Sequence, residues 1–369
     1  MKNLLLLSTI FSLAACNFSN TQEKSQAAWA FKEFVKVDSA NPILLPDTSY
    51  TFACPVQNKI VQWQAKNVLN PTALVKEGKV YLLFRAQDSA MTSRVGLAIS
   101  EDGIHFKKQA APIFYPAQDS LLKYEGKGGV EDPRIVAMPD GGYLLTYTSY
   151  DGKTARLCFA TTTDLIHWEK RGPVLQSPKY INSWSKSGAI LVEQVGEKMV
   201  AKKVNGKYWM YFGDTDLFMA TSTDLLHWDA LENSESQKII SVLQPRPGYF
   251  DSRLVEPGPY ALYTNNGIVL IYNSSNAANN NDTTQPKFTY AAGQVLFDKN
   301  APYKLLDRSA NYFIHPDKPY ELKGEVNNVC FAEGLVFFKN QWILYYGTAD
   351  SKIAVAIAKP NTYFYSAPN

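Results

Sequence analysis

Five polar or charged residues of this 369-residue chain share one local setting, because each stands where a short apolar run begins, with proline or a small residue close behind it. The five residues are Asn70, Asp132, Lys186, Glu256 and Glu333. Charges are expensive to bury unless they are paired or used in a reaction. Three carboxylates in one place would repel one another unless a cation or a reaction used them. If the fold brings these positions together, they indicate an active site.

The stretch GGVEDPRIV, residues 128–136, shows this setting most clearly. Glu131 and Asp132 stand together at the start of an apolar strand. Arg134, two residues after Asp132, lies on the same side of an extended chain. An isolated acid of this kind can be a turn residue with an ion-pair partner. A polar or charged residue recurs in this setting at five positions, which favours the other interpretation, in which Asp132 lies on the floor of an active site.

Further polar groups end the strands that follow. Arg85 closes the segment YLLFRAQD, and Asp350 closes YYGTAD. A pocket of carboxylates, arginine, lysine and aromatic rings suits a sugar, because sugar hydroxyls take hydrogen bonds and C–H faces lie against rings. These residues therefore predict a carbohydrate site.

A repeat indicates the fold that could assemble this site. The segments AISEDGIHFKK, ATTTDLIHWEK and ATSTDLLHWDA begin at Ala98, Ala160 and Ala220, which are 62 and 60 residues apart. A fixed period of this length is typical of repeat architectures, and four short strands per period make each repeat a propeller blade. The sequence therefore predicts an all-β fold, a five-bladed β-propeller whose first strands line a central channel.

The same repeat argues against a metal site. His105, His167 and His227 occupy equivalent positions in the three segments. Residues on different blades cannot converge on one ion, so we expect structural histidines, no metal and no cofactor. The net charge of +3, without a run of Lys or Arg, also argues against a nucleic-acid partner.

The N-terminus predicts export. Lys2, the apolar run LLLLSTIFSL and the small residues before Cys16 resemble a lipoprotein signal peptide with a lipobox, residues 1–16. We expect lipidation of Cys16 and an exported protein on a bacterial membrane, periplasmic or at the cell surface, with no other membrane contact. An ordinary signal peptide with an incidental cysteine is the alternative. Residues 17–40 are interpreted as a polar tether and 41–369 as the catalytic propeller.

With these motifs the chain resembles glycoside hydrolase family 130, whose members are five-bladed propellers acting on β-mannosides. The similar segments are GGVEDPRI, NPTALV, KYWMYFGD, VEPGP and ILYYGTADSKIAVAIA. The resemblance implies that Asp132 is a general acid that passes its proton through a hydroxyl of the mannose being cleaved. It implies sugar contacts by Asn70, Arg85 and Asp350, and phosphate contacts of the phosphorylase members by Lys186 and Arg156. The other predicted substrate-binding residues, which lie within the quoted motifs, are Glu131, Arg134 and Tyr346.

The chain departs from the phosphorylase pattern in ways that favour hydrolysis. It lacks His-Arg after the third-blade strand and carries Glu256 and Glu333 where phosphorylases have uncharged residues. Added carboxylates repel a phosphate dianion, whereas a water nucleophile needs a carboxylate base. We therefore expect an inverting β-mannosidase with Asp132, Glu256 and Glu333 as catalytic residues and Glu256 as the preferred base. The resemblance to the hydrolytic members of the family implies exo action on β-1,2-linked manno-oligosaccharides. The alternatives are a β-mannoside phosphorylase forming mannose 1-phosphate and a non-catalytic glycan-binding lipoprotein.

Overall fold

A computed structural model describes residues 27–359, and strands make up most of their regular structure. The first strands are β1 (Val35–Lys36), β2 (Phe52–Cys54), β3 (Lys59–Val61), β4 (Asn67–Lys76), β5 (Lys79–Gln87), β6 (Ser93–Ser100), β7 (Lys107–Lys108), β8 (Gly129–Ala137), β9 (Tyr143–Tyr150), β10 (Ala155–Thr162) and β11 (Glu169–Pro173). The middle strands are β12 (Ala189–Val195), β13 (Lys198–Ala201), β14 (Lys203–Val204), β15 (Lys207–Phe212), β16 (Phe218–Ser222) and β17 (Asp229–Ala230). The last strands are β18 (Leu254–Pro257), β19 (Ala261–Thr264), β20 (Gly267–Ser275), β21 (Tyr290–Phe297), β22 (Leu305–Arg308), β23 (Cys330–Phe338), β24 (Gln341–Thr348) and β25 (Lys352–Ala358). The all-β prediction is confirmed.

The two helices are single turns, α1 (Leu122–Glu125) and α2 (Pro319–Leu322), and each precedes the first strand of a sheet. Within residues 27–359, no helix has the length and apolar character needed to cross a membrane.

The strands pair in successive antiparallel runs. The runs are β4–β5–β6–β7, β8–β9–β10–β11, β12–β15–β16–β17, β18–β20–β21–β22 and β23–β24–β25–β1. Strand β4 contacts both β8 and β23, so first strands of neighbouring runs face one another. Every residue of β10 and of β20 is buried, which explains why these strands lack the alternation of half-exposed strands.

The apolar cores lie between neighbouring sheets. Leu83 and Val95 of one run belong to the same buried cluster as Ile135 and Leu145 of the next. The first and second runs thus share one apolar core between their facing sides.

The folded part begins earlier than predicted. Strand β1 pairs with β25 and completes the last sheet, and the preceding residues Trp29 and Phe31 are buried in the core. The predicted tether boundary at residue 40 is therefore wrong for residues 29–40, since apolar side chains and a strand edge hold them to the domain. Residues 17–26 and the predicted lipobox lie outside the described residues.

In each of three sheets, a buried acid connects a tyrosine of the second strand to a cation of the outermost strand. The sets are Glu125 with Tyr147 (2.8 Å) and Lys170 (2.5 Å), Asp251 with Tyr272 (2.7 Å) and Arg308 (2.6 Å), and Glu321 with Tyr346 (2.8 Å) and Lys36 (2.7 Å). Each acid has no exposed surface. These sets hold the outer edge of a sheet to the segment that leads into it.

Lys36 gives this arrangement a testable consequence. Lys36→Met would leave the carboxylate of Glu321 buried without its cation, and breaking a buried pair costs about 3–5 kcal/mol. We expect a loss of that size in the free energy of unfolding, measured by urea titration. Lys32→Met, at an exposed lysine of the same segment, is the control. Equal stabilities of the two variants would show that Lys36 does not hold the closing strand.

The three repeated histidines lie on the surface. In each turn the aspartate Oδ2 is 2.7 Å from the Nδ1 of the histidine three residues later, and the histidine side chains are 80–87% exposed. The aspartate Oδ1 accepts backbone N–H groups of the same turn, as at Asp164. The histidines thus close turns at three separate places.

Candidate active site

A cavity of about 140 Å³ collects residues from every run of strands, and we refer to it as the pit. The pit is lined by Leu69, Asn70, Arg85, Asp132, Lys186, Glu256, Tyr290, Val329, Phe331 and Asp350. Six of these are predicted site residues, namely Asn70, Arg85, Asp132, Lys186, Glu256 and Asp350. The structure therefore brings together most of the polar groups that the strand-start pattern selected.

Irregularities in the first strands aim several of these side chains. The pairing register shifts at Asn70, at Asp132 and at Glu333, where β4, β8 and β23 each carry an extra residue. Asn70 and Asp132 also adopt left-handed backbone conformations, with φ of 46° and 49°. β-Bulges of this kind re-aim a side chain and recur beside active sites. Proline or glycine directly after each position is the sequence signal of the bulge.

In the third run, the predicted alignment of the strand starts is shifted by one residue. Ser187 shares the left-handed backbone, with φ of 59°, and is followed by Gly188, so it and not Lys186 matches Asp132. Lys186 still lines the pit, and the hydroxyl of Ser187 donates a hydrogen bond to Glu256 Oε1. The structure thus adds Ser187 as a residue that orients the candidate base.

Asp132 is held between two cations. Arg85 Nη1 donates to its Oδ1 at 2.8 Å, and Lys186 Nζ lies 3.3 Å from its Oδ2. Burial alone would raise the pKa of Asp132, but the charges of Arg85, Lys186 and Arg134 outweigh it and lower the pKa to about 2. Asp132 is consequently ionised at neutral pH. Arg134, which the sequence places on the same side of the strand as Asp132, lowers this pKa less than Arg85 does.

The environment of Glu256 differs from that of Asp132, because it favours the protonated form of the carboxyl group. Only 5% of it is exposed, and burial raises its pKa above the usual range against the opposing charge of Lys186. Lys186 Nζ lies 4.0 Å from Glu256 Oε1. A carboxylate with a raised pKa accepts a proton more readily, which suits a general base.

Glu333 lies beneath the pit and is fully buried. Arg134 Nη2 lies 2.8 Å from its Oε1, and Arg134 also donates to the carbonyls of Pro257 and Gly258 at 2.7 Å. Burial raises the pKa of Glu333 to about 8. Glu333 is thus a protonated acid at neutral pH, which makes Glu256 the better candidate for the base.

The raised pKa of Glu333 predicts a pH dependence of stability. An unfolded glutamate has a pKa of about 4.3, so between that value and about 8 the folded chain binds more protons than the unfolded chain. The free energy of unfolding should therefore fall as the pH rises through this window. Glu333→Gln should flatten the fall in urea titrations across the window, whereas Glu235→Gln, at an exposed acid, should not. An unchanged slope for Glu333→Gln would contradict the assignment.

The remaining predicted residues divide into two groups. Glu131 Oε1 pairs with Arg85 Nη2 at 2.8 Å, and burial raises the pKa of Asp350, which lines the pit, to about 6. Arg156 does not line the pit, because Asp151, Asn182 and the Ile181 carbonyl occupy its guanidinium. Tyr346 is also directed elsewhere, since its hydroxyl bonds to Glu321. Arg156 and Tyr346 are therefore removed from the candidate set.

The structure adds two aromatic residues to the pit. Tyr290 and Phe331 line it, and neither was singled out from the sequence. Tyr290 opens β21, which is the third strand of its run, and Phe331 lies two residues before Glu333 in β23. Neither therefore occupies the position in a first strand that guided the prediction. These rings supply the aromatic surface expected for a sugar.

Comparison with protein families gives one match over nearly the whole described chain. The model of glycoside hydrolase family 130, described as beta-1,4-mannooligosaccharide phosphorylase, matches residues 36–362. A 1,2-beta-oligomannan phosphorylase of Thermoanaerobacter sp. (strain X514) is 31% identical over 307 residues, which are 80% of this chain and 91% of the relative.

Two solved structures are similar at 41% identity and a TM-score of 0.89. One is a glycosyl hydrolase from Bacteroides ovatus, with 92% of this chain and 96% of that chain covered. The other comes from work showing that the GH130 family of mannoside phosphorylases contains glycoside hydrolases that target beta-1,2 mannosidic linkages in Candida mannan, with 93% and 98% covered.

Proposed function

The chain belongs to glycoside hydrolase family 130, and from this membership we propose that it is an exo-acting β-mannosidase. The proposed reaction is hydrolysis of β-1,2-linked manno-oligosaccharides with inversion, which releases mannose. We also propose that the successive runs of strands are the blades of a five-bladed propeller with the pit on its axis.

The charge of the pit is the observation that carries the proposal of hydrolysis. Five acids and three cations meet in or under it, and each cation is within 4.0 Å of an acid. The acids are Glu131, Asp132, Glu256, Glu333 and Asp350, and the cations are Arg85, Arg134 and Lys186. Glu333 is protonated at neutral pH, but Asp132 is ionised and would repel a phosphate dianion, and Arg85 and Lys186 are already paired with it. A water molecule would meet a carboxylate able to take its proton.

Inversion sets a condition on the distance between Asp132 and Glu256. Both have an oxygen near Lys186 Nζ, at 3.3 Å and 4.0 Å, so these oxygens are at most 7.3 Å apart, the sum of the two distances. Inverting glycosidases separate their carboxyl groups by roughly 6.5–9.5 Å to admit a water. Inversion therefore requires a separation close to this upper limit.

In the proposed reaction, a water oxygen attacks the anomeric carbon and gives its proton to Glu256. The glycosidic C–O bond breaks, and the leaving oxygen receives a proton that originates on Asp132 and passes through a mannose hydroxyl. Asp132 must first be protonated. A sugar that fills the pit removes the remaining water around Asp132 and raises its pKa, because burial favours the neutral acid.

The comparisons support hydrolysis, and one residue of the pit supports a second candidate function. Identity is higher to the solved hydrolase structure from Bacteroides ovatus, at 41%, than to the Thermoanaerobacter phosphorylase, at 31%. Lys186 in the pit favours the second candidate, a β-mannoside phosphorylase, since a lysine can bind phosphate as a point charge.

We further propose that Cys16 carries a lipid and that the enzyme works outside the cytoplasm on a bacterial membrane. The signal-like residues 1–16 support this location. Membrane fractionation of cells expressing the wild type and Cys16→Ser tests it, since only the wild type should stay with the membrane.

The substrate proposal is tested with β-1,2- and β-1,4-linked mannobiose and with longer β-1,2-linked chains. We expect turnover of the β-1,2-linked sugars, with mannose and the chain shortened by one unit as the early products. Preference for the β-1,4 linkage, or early release of a disaccharide from a chain of four or more units, would contradict it.

A further inference from the structure

The size of the pit limits which part of an oligosaccharide it can hold. Its volume of about 140 Å³ is below the roughly 300–1,000 Å³ of typical ligand pockets. That space suits one sugar ring. If the chain is an exo-acting mannosidase, as proposed above, the next sugar must lie at the mouth of the pit.

Trp184 is an exposed aromatic residue that lies close to the pit in sequence. It lies two residues before Lys186, and 54% of it is exposed. Its indole Nε1 donates a hydrogen bond to Asp214 Oδ2 at 2.9 Å. Asp214 is close enough to Lys186 to raise the pKa of that lysine, which connects the indole to the charges of the pit.

The indole is also supported on a second side. The ring of Tyr150 meets it edge-on, with 6.4 Å between the ring centroids and an angle of 69°. A single exposed apolar side chain needs no special explanation. An exposed indole that is fixed by a hydrogen bond and a ring contact, next to a sugar-sized cavity, has the properties of a preorganised stacking surface.

We propose that Trp184 is a specificity-determining residue, the stacking platform for the sugar on the leaving-group side of the scissile bond. This inference rests on the proposed function, because exo action places the terminal mannose in the pit and the next sugar outside it. It predicts that Trp184 contributes to binding of oligosaccharides and not to binding of mannose alone.

Phe288 is the competing position. It lies two residues before Tyr290, is 47% exposed, and has the guanidinium of Arg253 5.2 Å from its ring centroid. The cation covers one ring face, which leaves Phe288 less free to stack on a sugar. Phe288→Ala therefore serves as the rival variant.

The test compares kinetics on β-1,2-mannobiose. Trp184→Ala should raise KM about five- to tenfold with kcat little changed, because the lost contact holds the ground state and the transition state alike. Trp184→Phe keeps a ring and should stay within about twofold. The inhibition constant of free mannose, which fills only the pit, should not change. Tyr303→Ala, at a half-exposed ring that packs on Trp209, is the control for loss of a surface aromatic residue.

Two outcomes would overturn the inference: an unchanged KM for Trp184→Ala, or a rise in KM for Phe288→Ala in its place. If the wild type turns over no β-mannoside, the proposed function fails, and calorimetric binding of the same disaccharide tests Trp184 separately. Weaker binding by Trp184→Ala would then uphold the platform, whereas equal binding, or no binding by the wild type, would reject it.

Discussion

Replacing Asp132 by asparagine should lower turnover of β-1,2-mannobiose by about 10²–10⁴-fold, the usual contribution of general acid catalysis. Asparagine preserves the size of the side chain, and its amide oxygen can still accept a hydrogen bond from Arg85, so the fold and sugar binding should survive. Initial rates by mannose release, circular dichroism and calorimetric binding of mannobiose test these expectations.

The matched control is Asp140→Asn, at an exposed acid in the turn that follows the same strand. It should behave as the wild type. If Asp132→Asn stays within a few-fold of the wild-type rate, Asp132 is an ion-pair residue of a turn and the reaction needs another acid.

Removing the carboxylate of Glu256 should have an effect of comparable size on hydrolysis. In Glu256→Ala no base remains to take the proton of the attacking water, and we expect a fall of about 10²–10⁴-fold. Added formate should restore part of the rate as a replacement base, and azide should do so as a replacement nucleophile.

Two comparisons make this result specific. Glu235→Ala, at an exposed acid outside the pit, should retain activity. Glu333→Gln should fold and should not respond to formate, because Glu333 lies beneath the pit and is protonated at neutral pH. Rescue of a Glu333 variant by formate, with Glu256→Ala still active, would reverse the two roles.

The positions of the pit residues could be predicted because the signal is local and repeated. Asn70, Asp132 and Glu333 each precede proline or glycine at a bulge of a first strand, and the repeat places such strands side by side. The same signal failed at Lys186 because a charged residue next to Ser187 looked the better match. Only the left-handed backbone of Ser187 distinguishes the two.

The errors have a common cause, which is that they depend on contacts between distant parts of the chain. Tyr346 lies in a motif that looks functional, but its hydroxyl bonds to Glu321 of α2. Lys36 reaches the same acid from 285 residues away and makes β1 part of the last sheet. Residues 29–40 show no strong strand pattern of their own, so the sequence could not reveal that they complete the fold.

The fate of phosphate in the reaction tests the central claim most directly. The wild type is incubated with β-1,2-mannobiose over a series of phosphate concentrations, and the products are followed by ¹H and ³¹P NMR from the first minutes. We predict α-mannose as the first product from the non-reducing end and a rate that does not depend on phosphate. Mannose 1-phosphate that accumulates in proportion to added phosphate would contradict the account and identify a phosphorylase.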